Sequence, residues 1–273
     1  FIKSSILNNQ NKNDRIIIIK NEENGGVGSA ISRGYKWAKD NEIDCTAVMA
    51  GDGQMDPSEL KKICMGIIKN KVDYVKGNRL KHPSARYLMP KRRFIGNSIL
   101  SILTKIASGY WKISDTQTGY TAISLSALKA IDIYKIYGSY GMPNDLLVKL
   151  NIIGARIKEI PIKPVYNIGE KSKMKILLVI PRVSVLLIKS FFKRLWLKYF
   201  IKDFHPLFIL YNMAFMLFIL WVPYFLKIIS AFYNSSNLSF ETLFAFTFLG
   251  FFGFQSLIFA MWMDILDNDN LQI

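Results

Sequence analysis

The chain has 273 residues, 51% of them hydrophobic and 14% aromatic, with a formal net charge of +16. That length suits one large domain or one domain with an appendage, and the charge calls for an anionic partner: nucleic acid, anionic lipid or a phosphorylated substrate. Its two cysteines, Cys45 and Cys64, show no disulfide pattern, which excludes a disulfide-framework fold and reads as reduced thiols of an intracellular protein.

No signal-peptide pattern is visible in Phe1-Ile2-Lys3 and the Asn/Lys-rich stretch after it, and the missing initiator Met leads us to expect an N-terminally incomplete chain. Arg15-Ile-Ile-Ile-Ile-Lys20 is a short β-branched run and predicts a buried strand. The polar, Gly-rich stretch 21–28 follows, then a helix over Ser29–Asp40. The loop Asn24-Gly25-Gly26-Val27-Gly28 partly fits a dinucleotide fingerprint, but Ile31 stands at the third glycine position and no acid ends the next strand. Turn chemistry and a nucleotide contact at the helix N-terminus are both open readings.

Thr46–Met49 predicts a second strand and Ser58–Lys69 a helix. Between them lies Met49-Ala50-Gly51-Asp52-Gly53-Gln54-Met55-Asp56-Pro57. Asp56 before Pro57 reads as a helix cap. Asp52, where a buried strand gives way to a loop, is placed to hold a hard cation against phosphate oxygens. Val72–Gly77 is a third strand, and the βαβαβ alternation predicts an α/β fold with a parallel sheet and helices on both faces. Ligands then bind beyond the strand carboxyl ends, where both Asp52 and the turn Gly77-Asn78-Arg79 fall.

Lys91-Arg92-Arg93 opens a helix reaching Gly109; the triplet is a solvated surface or, beside an anion-binding crevice, a phosphate clamp. Ser114-Asp115-Thr116-Gln117-Thr118-Gly119-Tyr120 places an acid in a turn ahead of a helix over Ser124–Ile133. Taken alone, Asp115 there satisfies local backbone groups. Asp145 reads as a first-turn acid of a further helix.

Nine Lys/Arg and no acid lie between Lys171 and Lys202, whereas Lys227 and Glu241 are the charged residues from Phe204 to Met263. Ile176–Phe200 carries Arg182, Lys189 and Lys193 on one stripe against an apolar, aromatic face, which suits a helix lying in the membrane interface beside anionic lipids. Leu207–Ile229 and Leu243–Met263 are each long enough to cross a bilayer as a hairpin. The basic approach to the first places residues 1–202 and the tail Asp264–Asp269 on the cytoplasmic side of a multi-pass membrane protein. The organisation expected is therefore a globular domain over 1–170, a basic interfacial region over 171–203 and a hairpin with a short tail over 204–273.

The succession Asn24–Ala30, Gly51–Pro57, Gly77-Asn78-Arg79, Asp115–Tyr120 and Gly169-Glu-Lys-Ser-Lys173 resembles the family-2 glycosyltransferases of GT-A fold. More narrowly, it is similar to the dolichyl- or polyprenyl-phosphate sugar transferases with a C-terminal membrane hairpin. The resemblance covers about residues 15–265. It implies an inverting, metal-assisted transfer of a sugar from a nucleotide-sugar donor to a polyprenyl phosphate. Asp52, with Gln54, would bind Mg²⁺ or Mn²⁺ at the donor diphosphate; Asn24 and Gly25 would line the donor site. Asn78, Arg79 and Arg92 or Arg93 would hold phosphates, Asp115 would stand near acceptor and sugar, and Lys173 would close over the diphosphate. A phosphate acceptor needs no strong general base, whereas a hydroxyl acceptor makes Asp115 or Asp145 the candidate.

The sequence departs from the family pattern in places. Ala50 stands where the first acid of the DxD motif belongs, Thr121 and Tyr166 stand where arginines are usual, and the first strand with its base-binding loop is absent. Two other readings follow: transfer to a different lipid or glycan acceptor, or a non-catalytic membrane scaffold whose site has decayed. A nucleic-acid partner is disfavoured because the basic residues cluster beside the spans, and a homo-oligomer is compatible with the sequence.

Overall fold

The computed structural model of the chain describes residues 16–21, 23–70, 72–88, 91–165, 176–234 and 237–273. Four strands form one sheet: β1 (Cys45–Val48), β2 (Tyr74–Asn78), β3 (Thr121–Ser124) and β4 (Ile157–Pro161), in the order β1-β3-β2-β4. β2 pairs with β4 in parallel, and β3 runs antiparallel to both β1 and β2. Three strands therefore share one direction, but two of the three pairings are antiparallel, so the sheet is mixed rather than the parallel one expected. What the βαβαβ alternation does not foresee is β3 between β1 and β2. The turn 115–120 delivers the chain to the carboxyl ends of β1 and β2, opposite Val48 and Lys76, so the next strand can only run back down between them.

The run expected to form a strand over 15–20 does not form one over its described residues. Among the described residues no strand pairs with Ile16–Lys20, and Ile17 and Ile19 are exposed. A β-branched run becomes a strand only against a partner, because its backbone groups are otherwise solvated.

Alternation along the strands sorts the core into two layers. Tyr74, Ile123 and Ile157 face α1 (Val27–Asp40), α5 (Leu125–Ala130) and α6 (Met142–Ile152), meeting Tyr35, Leu128 and Leu146. Val75, Ala122 and Ile160 face α2 (Leu60–Asn70), meeting Ile63 and Ile67. Helices thus cover both faces. The edge of β1 borders an apolar groove of about 540 Å³ whose walls include Val27, Ile31, Tyr35, Ala47 and Ala50.

α1 starts two residues earlier than expected, after Gly26 at φ 86°. The amide of Gly28 donates to the carbonyl of Gly138 at 2.8 Å, and a Cβ on Gly28 would lie 2.0 Å from the Tyr137 carbonyl oxygen. Close packing on the 137–138 backbone accounts for that glycine without any nucleotide.

After the short α3 (Ala85–Leu88), α4 (Lys91–Ser108) packs with α7 (Ile176–Trp196) and the start of α8 (Pro206–Tyr233) around Leu100, Val183, Leu187, Phe191 and Tyr211. A π-helical turn over Leu197–Lys202 separates α7 from α8. α8 and α9 (Phe240–Asn268) are long and apolar enough to cross a membrane, with mean hydropathies of 2.0 and 1.8 in their most apolar windows. Those windows are 6% and 17% buried, which sets them apart from core helices of a globular fold. They pack together closely where Trp221 lies over Gly250.

α9 runs on past Met263 into the segment expected to be a tail. Asp264 can continue the helix because Arg194 of α7 meets its carboxylate through two bonds of 2.7 and 2.8 Å, both side chains fully buried. Arg194 therefore belongs to the interior, while Arg182, Lys189 and Lys193 lie on the exposed face of α7. Tyr199 donates to Asp264 at 2.9 Å, and Asn151 of α6 donates to Asn268 at 2.7 Å. Beyond α9, the amide of Ile273 donates to the carbonyl of Ile157 at 3.0 Å, so the chain's last residues pair along β4.

Candidate active site

β1 delivers the chain at Val48 into the acid loop 49–56, which ends in a 3₁₀ turn over Pro57–Glu59. Asp56 caps that turn, its carboxylate accepting from the Ser58 amide at 2.9 Å with Pro57 at the first position. Asp52 is half-buried, and one of its oxygens accepts from the Gln54 amide at 3.0 Å, fixing the carboxylate within the loop. The Ala50 amide meets the Met55 sulfur at 3.1 Å. Met55 in turn reaches the 115–119 turn: its methyl would lie 3.5 Å from a Cβ on Gly119. The Tyr120 hydroxyl donates to the Asp56 carbonyl at 2.9 Å. The acid loop and the 115–120 turn are thereby held side by side at the strand carboxyl ends.

Asp115 does not stand alone. Arg79, at the end of β2, forks onto it through Nε at 2.8 Å and Nη2 at 2.9 Å, and the Arg79 amide adds a third bond at 3.1 Å. The carboxylate is 1% exposed. Burial alone would push its carboxyl up; the charge and hydrogen bonds of Arg79, aided by Lys76, outweigh that and hold it below the usual carboxylate range. Lys76 is fully buried and donates to the Thr118 carbonyl at 2.6 Å. Burial drives its ammonium pKa down to about 8, against the upward pull of Asp115 and Glu159.

Asn78 is buried, spending its amide nitrogen on Ser114 and Glu159 and its oxygen on the Lys81 amide. It braces the turn from behind. Asn24 accepts from the Gly26 amide at 3.1 Å, and Gly25 sits beside Gly138 at the start of α1. That helix start lies near the acid loop, since Val27 and Ala50 wall the same groove. Asp145 accepts from the Tyr137 amide and is paired with Lys149. Arg92 and Arg93 fall in the first turn of α4, and Lys173 lies outside the described residues.

Two charged residues of this region carry no motif and escape sequence reasoning, Lys76 and Glu159. The available signal is a basic residue in an otherwise apolar strand and an acid directly opposite it, since Lys76 and Glu159 are partners across β2 and β4. That pairing is readable only once the strand order is known.

Among the described residues no three His, Cys, Asp or Glu side chains gather as a metal cage. With Asp56 engaged as a cap, the acid loop offers one carboxylate, Asp52, and one amide, Gln54. Such a pair of hard oxygens fits a Mg²⁺- or Mn²⁺-type ion that takes its remaining ligands from phosphate and water.

Residues 4–132 match the family model described as glycosyl transferase family 2. Over 153 residues, 56% of this chain and 61% of the relative, the sequence is 35% identical to a UDP-N-acetylglucosamine–dolichyl-phosphate N-acetylglucosaminyltransferase of Methanococcus voltae. It is also 27% identical over 156 residues to an uncharacterized protein of Methanocaldococcus jannaschii, covering 57% of this chain and 64% of that one. A second uncharacterized protein of that organism is 29% identical over 151 residues, 53% and 62% of the two chains. The chain spans about three fifths of the length of the curated relatives it matches.

Proposed function

We propose, from the match of residues 4–132 to the glycosyl transferase family 2 model, that the chain moves a sugar from a nucleotide-sugar donor onto a polyprenyl phosphate at a membrane surface. The observation that carries this reading is the state of the crevice carboxylates. Asp115 is ionised and bound three times by Arg79, and Asp145 is tied to Lys149 and the Tyr137 amide. Held this way, Asp115 has little affinity for a proton and serves poorly as a general base. Attack by a phosphate oxygen, which is already anionic, needs none. A hydroxyl acceptor would.

In this reading Asp52 and Gln54 hold a divalent ion against the donor diphosphate, and the ion supplies positive charge where the departing nucleotide gathers negative charge. Asp115 acts through Arg79: it fixes the guanidinium at the carboxyl end of β2, where a phosphate can approach it. Asn24 and Gly25 border the donor side, while Arg92 and Arg93 at the start of α4, with Lys173, add cationic groups for phosphates.

The long apolar pair α8–α9 supports a lipid-borne acceptor. The same apolar surface continues over α7 through Val185, Ile188, Phe192 and Trp196, with Arg182, Lys189 and Lys193 beside it, and over α4 through Ile95, Ile99 and Ile102. Such a face, apolar with basic flanks, suits the interface of an anionic leaflet, on the cytoplasmic side by the positive-inside rule.

The test uses membranes containing the chain, labelled nucleotide-sugars, Mg²⁺ or Mn²⁺ and polyprenyl phosphate. The expected product is lipid-extractable and acid-labile. An acid-stable labelled product would instead indicate another lipid or glycan acceptor, and absence of any turnover would indicate a scaffold, the reading that Ala50 favours.

A further inference from the structure

Glu159 lies on β4 with its side chain 4% exposed, away from every motif of the sequence. One carboxylate oxygen accepts from the amides of Ser114 at 3.0 Å and Asp115 at 3.1 Å. The other accepts from the Ser114 hydroxyl at 3.1 Å and the Asn78 side-chain amide at 2.6 Å. Lys81 approaches that oxygen at 3.0 Å from the solvent side. Two turns far apart in sequence are therefore fastened to one buried carboxylate.

The consequence concerns the pair formed by those turns. Arg79 follows Asn78 directly, and Asp115 donates its own amide to Glu159 while its side chain holds Arg79. The spacing between the Arg79 guanidinium and the Asp115 carboxylate is set by where Glu159 holds each backbone. Four of its bonds go to a full charge from neutral donors, which makes them stronger than ordinary ones and costly to lose in a buried place.

We propose that Glu159 is a positioning residue of the transfer site, fastening the 78–79 and 114–115 turns in the register that aims Arg79 at substrate phosphate. The role rests on the transfer reading above. It also predicts a physical behaviour of the two turns that needs no turnover at all.

The test compares wild type with Glu159→Gln, close in shape but uncharged, and with Ser114→Ala, which removes one of the donors. Both are full chains in membranes. Hydrogen exchange is read in the peptides spanning 77–82 and 113–120, with α2 as control, alongside the melting temperature and steady-state kinetics. The expected result for Glu159→Gln is loss of protection in both turns together, at least about tenfold, and a lowered melting temperature, with the protection of α2 unchanged. kcat should fall about tenfold to 100-fold, while the donor KM moves less than about threefold, as for a misplaced rather than a missing contact. Ser114→Ala should loosen the 113–120 peptide more weakly in the same direction. Loosening of only one turn, or of neither, overturns the proposal. Uniform loss of protection, α2 included, in both variants overturns it too, since Glu159 would then be general framework. If wild type transfers no sugar, the transfer reading fails, and the exchange data still decide the role of Glu159.

Discussion

Lys76 carries its charge where water does not reach it, and its pKa near 8 records the cost of that placement. In the unfolded chain the same amine titrates near 10.4, so between the two values the unfolded state binds more protons and stability rises with pH. Below about pH 8 the whole penalty is present; above about 10.5 it is gone. Lys76→Met should therefore gain on wild type at low pH, and its advantage should shrink by up to about 3 kcal/mol from pH 8 to 10.5, measured by denaturation across that range. Asp115 behaves oppositely. Its depressed pKa contributes stability above the unfolded value of about 3.9, and that contribution is lost as pH falls through the lower folded value. Asp115→Asn should lack that acid limb in a pH series of melting temperatures. Asp52 and Arg79 could be placed from the sequence because each sits in a short motif after a strand, and Asp115 because it lies in a Gly-containing turn. That Arg79 and Asp115 pair across 36 residues, or that Glu159 fastens both turns, was not legible there, because such contacts depend on strand order rather than on local spacing.

Elements were legible wherever periodicity and caps agreed. Asp56-Pro57 stops and restarts the chain as its chemistry dictates, and Ser124 caps α5 by accepting from the Ala127 amide. The reading failed at Ile16–Lys20, where composition favours a strand but no strand among the described residues pairs with it, and at the end of α9, where hydropathy stops at Asp264 although the helix does not. Gly28 shows a glycine chosen by tertiary contact. Gly28→Ala would drive a methyl into the Tyr137 carbonyl, and the start of α1 must shift to accommodate it. The expected cost is about 1–3 kcal/mol in chemical denaturation, the usual penalty of overpacking.

Across the whole molecule, the buried pair Arg194–Asp264 joins α7 to the end of the apolar hairpin that packs on the globular part, and Arg194 also donates to the Ile106 carbonyl of α4 at 3.2 Å. Asp264→Asn leaves a buried guanidinium without its counter-charge and should cost about 3–5 kcal/mol, read as a lower melting temperature in detergent. Replacing both partners with apolar residues of similar size should restore most of that loss. These contacts fix the apolar hairpin to the globular part of the chain.

The central claim is transfer to lipid phosphate through the Asp52 loop. Its most direct measurement incubates membranes containing the full chain with labelled nucleotide-sugar, divalent metal and polyprenyl phosphate, for wild type and Asp52→Ala. The account predicts a lipid-extractable label released by mild acid, reduced at least about 100-fold in the variant, in line with loss of a charge-stabilising group. Label that resists mild acid, or a product that Asp52→Ala forms as readily as wild type, would contradict it.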